Sequence, residues 1–191
     1  MNRGRKVYNL VLVTDQETNQ VLLGYKKRGF GVGIWSGFGG KVEQFEDIEV
    51  SVRRELYEES SLIVKEMNKV GILCFDSDTY SDVHESHVYQ VTSFSGTPME
   101  SEEMKPKWFP IDSIPYHLLW QDFKFWWPYF RSGSLFSGFF MYKGLEYITD
   151  HRLITVKDVQ QLVPINLNEQ PTINNIYSSS MENQLINLPS Y

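Results

Sequence analysis

Cysteine is almost absent from this chain: Cys74 is the single one among 191 residues. A lone thiol excludes an internal disulfide framework and any zinc site built from several cysteines. Long hydrophobic runs are missing as well, and none approaches the roughly 20 apolar residues that span a bilayer. Positive charge is in deficit, with 18 Lys and Arg against 24 Asp and Glu, a formal net charge of −6. That balance argues against a large basic footprint for duplex nucleic acid or an anionic membrane, while a small anionic ligand held through a metal stays compatible. The N-terminal MNRGRK enters a strand-like run at once, without a signal-cleavage pattern. A soluble, reducing, intracellular setting is therefore expected.

What is present is an ordinary globular balance, 41% hydrophobic and 22% charged, with a high aromatic share of 15%. The run VYNLVLV (7–13), the turn-like DQETNQ and VLLGYKK predict a strand–turn–strand hairpin. Residues 28–40, RGFGVGIWSGFGG, read as a loop whose backbone turns sharply or approaches something closely. From Asp47 to about Ser60, Ile48, Val52 and Leu56 recur at helical spacing. Further strands are expected at 70–75, 87–94 and 107–111, a helical piece around 112–130, and late strands turning at Lys143–Gly144. The mixture predicts an α/β (α+β) domain over residues 1–156. Residues 157–191, rich in Asn, Gln, Ser and Pro, read as a poorly ordered tail with a short helix near its start. Such a tail is either an inert appendage or a packing or partner-binding segment.

The chemistry-bearing stretch is GFGGKVEQFEDIEVSVRRELYEESSL, residues 37–62. On a helix, Ile48, Val52 and Leu56 mark the buried stripe. Glu55 and Glu59 fall beside or within that stripe, and Glu58 lies about a quarter-turn away. Carboxylates at such spacing repel, and burial would raise their proton affinity unless a cation sits among them. A hard divalent ion such as Mg²⁺ would compensate, keeping positions open for water and phosphate oxygens. Arg54, four residues before Glu58, can pair with it. Gly39 and Gly40, without side chains, let the backbone approach the same ion or a phosphate. A solvated acidic face is the plain alternative.

The spacing G-x5-E-x7-R-E-U-x-E-E-x-S-U, through Glu46, Arg54, Glu55, Leu56, Glu58, Glu59 and Leu62, resembles the Nudix box, with Ser61 in place of its glycine. Because that glycine follows a helix end, where positive φ suits it, Ser61 should cost about 1 kcal/mol if the conformation is kept. Around the box, VLLGYKKRGFGVGIWSGFGGKV, GTPMESEEMKPKWF, LLWQD and GFFMYKG are similar to the animal MutT-type oxidised purine nucleoside triphosphate hydrolases over residues 5–156. The resemblance implies an α/β/α sandwich around a mixed sheet, and Mg²⁺ dependence with Mn²⁺ as a substitute. It implies hydrolysis of modified purine triphosphates, of the 8-oxo-dGTP or 2-hydroxy-dATP type, to monophosphate and pyrophosphate. A monomer working on the free nucleotide pool is expected, in the cytoplasm, with the nuclear or mitochondrial pool as alternatives.

The same resemblance places a metal on the Gly39 carbonyl, Glu55, Glu58, Glu59 and Glu103, with Glu55, Glu58, Glu59 and Arg54 as the catalytic set. Without it, Glu103 is a surface acid beside Glu100 and Glu102. It also places Asn9, Lys26, Phe30, Ser36, Phe38, Gly39, Gly40, Lys41, Phe75, Trp120, Gln121, Asp122 and Phe123 around the nucleotide. Trp120 offers a face for a purine or is a core tryptophan; Lys26 contacts phosphate or sugar or snorkels at the surface. Three departures bear on the base: Ser36 stands for Asn, Phe123 for a second Asp, and His84 for Met. Buried polar partners discriminate strongly, so hydrolysis is expected to persist while base preference weakens or shifts. Two further readings stay open: a Nudix enzyme moved to another nucleotide or a nucleoside diphosphate-linked metabolite, and a non-catalytic nucleotide-binding module. His84, His87, His117 and His151 lack metal-ligand spacing and read as structural or surface residues. Cys74 reads as a small buried residue.

Overall fold

A computed structural model describes residues 4–166 of the chain. In chain order its strands are β1 (Arg5–Asp15), β2 (Gln20–Lys26), β3 (Trp35–Ser36), β4 (Ile63–Ser77), β5 (Val83–Ser95), β6 (Met104–Pro110), β7 (Leu135–Lys143) and β8 (Tyr147–Val156). They form one sheet in the order β3-β2-β1-β5-β4-β7-β8, with β6 on β2. The pairs β1–β5 and β4–β7 are parallel and the rest antiparallel, so the sheet is mixed. The β1–β2 turn closes where Asp15 accepts from the backbone N–H groups of Glu17 and Thr18 and Asn19 adopts φ 52°.

Helix α1 (Ile48–Ser60) starts at Asp47, whose side chain accepts from the Glu49 N–H at 2.8 Å. Its apolar stripe, Val52 and Leu56, is fully buried against Val11, Val13, Leu22, Phe38 and Tyr89 on one sheet face. Helix α2 (Phe123–Arg131) seals the other face with Phe123, Trp126, Trp127 and Phe130 on Leu12, Leu23, Leu73 and Phe136. This is the three-layer arrangement expected from the sequence.

Three details differ from the periodicity. β4 and β5 run well past their apolar cores, because exposed Lys65 and Glu66 mask a segment whose backbone still pairs with β5 through bulges. The helix expected over 112–130 is broken into two single 3-10 turns before α2. Pro115 forces Ile114 into an extended conformation, at ψ 129°, and no helix passes through it. Beyond Val156 the chain stays ordered enough to make a 3-10 turn, Val159–Gln161. Leu162 and Ile165 then bury themselves on Ile72, Cys74, Val83 and Phe139, on the face opposite α2. The rest of the expected tail, residues 167–191, lies outside the described residues.

Candidate active site

Backbone pairing builds the acidic end of the site. Phe38 and Gly40 are zipped to β1 through Val11 and Asn9, with the Val11 N–H donating to the Phe38 carbonyl at 2.7 Å and Asn9 to Gly40 at 3.0 Å. Gly39 between them has φ 127°, and a Cβ there would stand 2.4 Å from the Asn9 carbonyl oxygen, so only glycine fits. Its N–H is thereby aimed at Glu59, donating to Oε2 at 2.8 Å. Glu59 is 3% exposed, and Lys26 Nζ pairs with its other oxygen at 3.2 Å while also contacting Glu103. Helical spacing thus puts Glu59 inside the buried stripe, Glu55 at its edge and Glu58 outward.

Arg54 organises the remaining acids. Its fork grips Glu46 through Nε and Nη2, both at 2.8 Å, while Nη1 reaches Glu55 at 2.8 Å and Glu58 at 3.2 Å. The Glu46 pair, which helical spacing alone did not reveal, is the stronger one. It holds the Glu46 carboxyl down at about 2. Burial does the opposite to Glu55 and Glu59, pushing the Glu59 carboxyl up to about 7 despite the Gly39 N–H and Lys26. Burial also opposes the charge of Lys26, yet its pairs with Glu103 and Glu59 hold the ammonium above its usual range.

Among the described residues, no three acidic, histidine or cysteine side chains converge at metal-binding distance. The Lys26 ammonium balances Glu59 and Glu103 instead. The donors that surround it are all oxygens, and two of the carboxylates are held near neutrality by burial. That set suits a hard divalent cation.

The other end is a cavity of about 460 Å³ that opens from the same glycine strip. Asn9, Lys26, Phe30, Ser36, Phe38, Gly39, Gly40, Phe75, Glu103, Trp120, Asp122 and Phe123 all line it. Lys41 and Gln121 do not: both side chains are exposed, Lys41 past the end of the glycine strip and Gln121 beside the lining Trp120 and Asp122. Phe30 lies parallel over Trp120, centroids 5.2 Å apart, and covers one tryptophan face. Ser36 donates its hydroxyl to the Gly37 carbonyl at 2.8 Å, turning it away from the role an amide would fill. Asn9 gives its amide N–H to Ser51, and its Oδ1 is buried without a donor.

His84 departs from the expectation of a structural or surface residue, because it lines the cavity, stacked at 4.1 Å on Tyr80 and tilted against Tyr8 at 4.8 Å. The other histidines stay outside: His87 pairs with Glu85 at 2.8 Å, and His151 packs on Phe125. Tyr8, Tyr80, Trp126 and Tyr142 also line the cavity. Strand register and helix docking bring them there, and no local motif marks them.

Residues 4–128 match the NUDIX domain family. The chain belongs to the Nudix hydrolase family. It is 42% identical over 154 residues to the "Oxidized purine nucleoside triphosphate hydrolase" of Danio rerio, covering 81% of this chain and 97% of that protein. The mouse protein of the same name is 43% identical over 148 residues, covering 78% and 94%. Among solved structures, the MutT protein of Bacillus halodurans superposes with a TM-score of 0.68 at 27% identity, covering 78% of this chain and 97% of that one. Members of this family act on small nucleotide substrates and generally use a divalent metal. Among the described residues, no helix is long and apolar enough to cross a membrane.

Proposed function

We propose that this Nudix hydrolase cleaves oxidised or otherwise modified purine nucleoside triphosphates to monophosphate and pyrophosphate, with Mg²⁺ as its cation. The observation that carries the reading is the continuity of one cavity, from Asp122 and Trp120 to Gly39, Gly40, Lys26 and Glu103 beside Glu59. A purine fits the aromatic end, and a triphosphate lies along the glycine strip. The names borne by the fish and mouse relatives agree with it.

Glu55, Glu59, Glu103 and the Gly39 carbonyl would hold the cation, with outward Glu58 joining them. When bound, it supplies positive charge to the phosphate oxygens. The protein's own contributions are separable. Gly39 and Gly40 admit the phosphates without steric hindrance. Arg54 fixes the Glu55 carboxylate, and Glu59 is placed to orient or deprotonate the attacking water. The Asn9 Oδ1 acceptor suits a nucleotide hydroxyl or N–H, and Asp122 reads the base edge.

A second reading, a shifted nucleotide or a nucleoside diphosphate-linked substrate, is favoured by Ser36 and Phe123, which leave fewer polar groups facing the base. Product analysis with Mg²⁺ on dGTP, 8-oxo-dGTP, 2-hydroxy-dATP, N6-methyl-dATP and a nucleoside diphosphate sugar separates the two. Pyrophosphate from the modified purines, with dGTP slow, is the expected result. Cleavage of the diphosphate sugar alone overturns it. Glu59→Gln should lower kcat by about 100-fold or more; an unchanged kcat removes Glu59 from the chemistry.

A further inference from the structure

The base end of the cavity has a single carboxylate, Asp122, because the other acidic side chain lining the cavity, Glu103, sits with Lys26 at the phosphate end. Asp122 is 6% exposed, and among the described residues no cation pairs with it. Each oxygen accepts one buried hydrogen bond from the protein. The Tyr142 hydroxyl donates to Oδ1 at 2.7 Å and Trp126 Nε1 donates to Oδ2 at 2.7 Å. The two donors come from β7 and α2, so the carboxylate is clamped between separate layers of the fold.

A carboxylate oxygen has two lone pairs, which leaves one on each oxygen for a ligand. Protonating Asp122 would put an O–H on an oxygen that already accepts, and a carboxyl hydroxyl is a poor acceptor. The clamp therefore opposes burial, which pushes the Asp122 carboxyl up, and favours the ionised form. The titratable groups that face it are Tyr142 and, from the β4–β5 connection, Tyr80; His84 of β5 lines the same cavity. Burial raises both tyrosine hydroxyls, Tyr80 to about 12, so neither brings charge at neutral pH.

We propose that Tyr142 is a positioning residue whose hydroxyl fixes Asp122 as a double acceptor, so that the site prefers purines with two adjacent N–H donors on their pairing edge. A guanine-type edge, ring N1–H beside the exocyclic amine, satisfies both lone pairs. An adenine-type edge sets a bare ring nitrogen against one of them, and that mismatch is buried beside the apolar ring of Phe123. The inference rests on the reading of this cavity as a purine nucleotide site and names the edge it selects.

The test compares 8-oxo-dGTP with 8-oxo-dATP, which share the oxidised position and differ on the pairing edge. The wild-type chain should favour 8-oxo-dGTP in kcat/KM. Tyr142→Phe, which removes one oxygen atom, should narrow that ratio about tenfold through KM, as expected for a hydrogen bond to a charged group. Without the Tyr142 donor Asp122 binds its proton more tightly, so the acid limb of kcat/KM for 8-oxo-dGTP should move to higher pH. A packing role alone would move neither the ratio nor the limb. Binding of the two monophosphates, followed by calorimetry, gives the same ratio without turnover. If neither triphosphate is hydrolysed but the binding ratio still depends on Tyr142, the proposed activity fails and the inference stands. A ratio that Tyr142→Phe leaves unchanged in both assays overturns the inference. Should that variant not fold, Asp122→Asn decides: the guanine preference must disappear, and its survival overturns the clamp.

Discussion

Replacing Ser61 by glycine removes a side chain from the left-handed residue that ends α1. Ser61 sits at φ 62°, ψ 13°, with its N–H donating to the Tyr57 carbonyl at 2.8 Å, the geometry of a helix C-terminal cap. A residue with a Cβ is strained there by about 1–2 kcal/mol relative to glycine. Glycine gives part of this back through its larger unfolded-state entropy, about 0.4–1 kcal/mol. A net gain of about 0.5–1 kcal/mol remains, which in a domain of this size is about 2–3 °C in Tm. Thermal unfolding followed by circular dichroism, with urea unfolding as a second probe, measures it. Because Glu59 is anchored by Gly39 and Lys26 and not by the cap, kcat should not change. A loss of stability, or a gain accompanied by altered turnover, refutes the reasoning.

Arg54→Ala should flatten the acid limb of stability. Glu46 titrates near 2 in the folded protein against an ordinary 4.5, so its stabilisation is complete above about pH 4.5 and is lost as pH falls toward 2; unfolding midpoints across that window check this. Gly40→Ala places a Cβ 2.6 Å from Glu55 Oε1, the movable end of a side chain. That variant should keep its Tm within a few degrees while kcat falls about tenfold or more, as expected when a positioned group shifts by an ångström. Truncating Leu162 to Ala should cost about 2–3 kcal/mol, and losing Ile165 as well should open Cys74. The Cys74 thiol, buried and pushed up to about 11, should then react faster with a thiol reagent in the double variant than in the parent.

The acidic end was legible in the sequence because its geometry is local. Helical spacing alone sets Val52, Leu56 and Glu59 inward and Glu58 outward, and the Gly39–Gly40 pair announces a close backbone approach. Even the strained cap at Ser61 follows from its place one residue past the helix. The base end was legible only in part. Asp122 and Trp120 stand in one short segment, but Tyr142, Tyr80 and Tyr8 reach the cavity because β4 and β5 pair at a particular register and β7 joins β4 in parallel. No local pattern carries that information. The Arg54–Glu46 grip was missed for a related reason. Glu46 precedes the helix, and the i, i+4 rule that points Arg54 to Glu58 does not extend across the N-terminal turn.

This division has a chemical counterpart. Every charged group at the acidic end is tied to another: Arg54 to Glu46 and Glu55, Lys26 to Glu59 and Glu103, Glu59 to the Gly39 N–H. Changing one strands its partner in a site of low polarity, which costs far more than the contact itself is worth. At the base end the substitutions fall where no such debt arises. Ser36 satisfies its own hydroxyl on Gly37, and Phe123 joins the aromatic packing of Trp126 and Trp127 at 4.6 and 5.1 Å. Each altered residue is internally satisfied and asks nothing of a ligand. The remaining demand for hydrogen bonds at the base end is then concentrated on Asp122 and the unpartnered Asn9 Oδ1. Discrimination between bases must therefore respond to Asp122 and its Tyr142 clamp, while hydrolysis responds to the acidic end, and variants at one end should leave the other parameter in place.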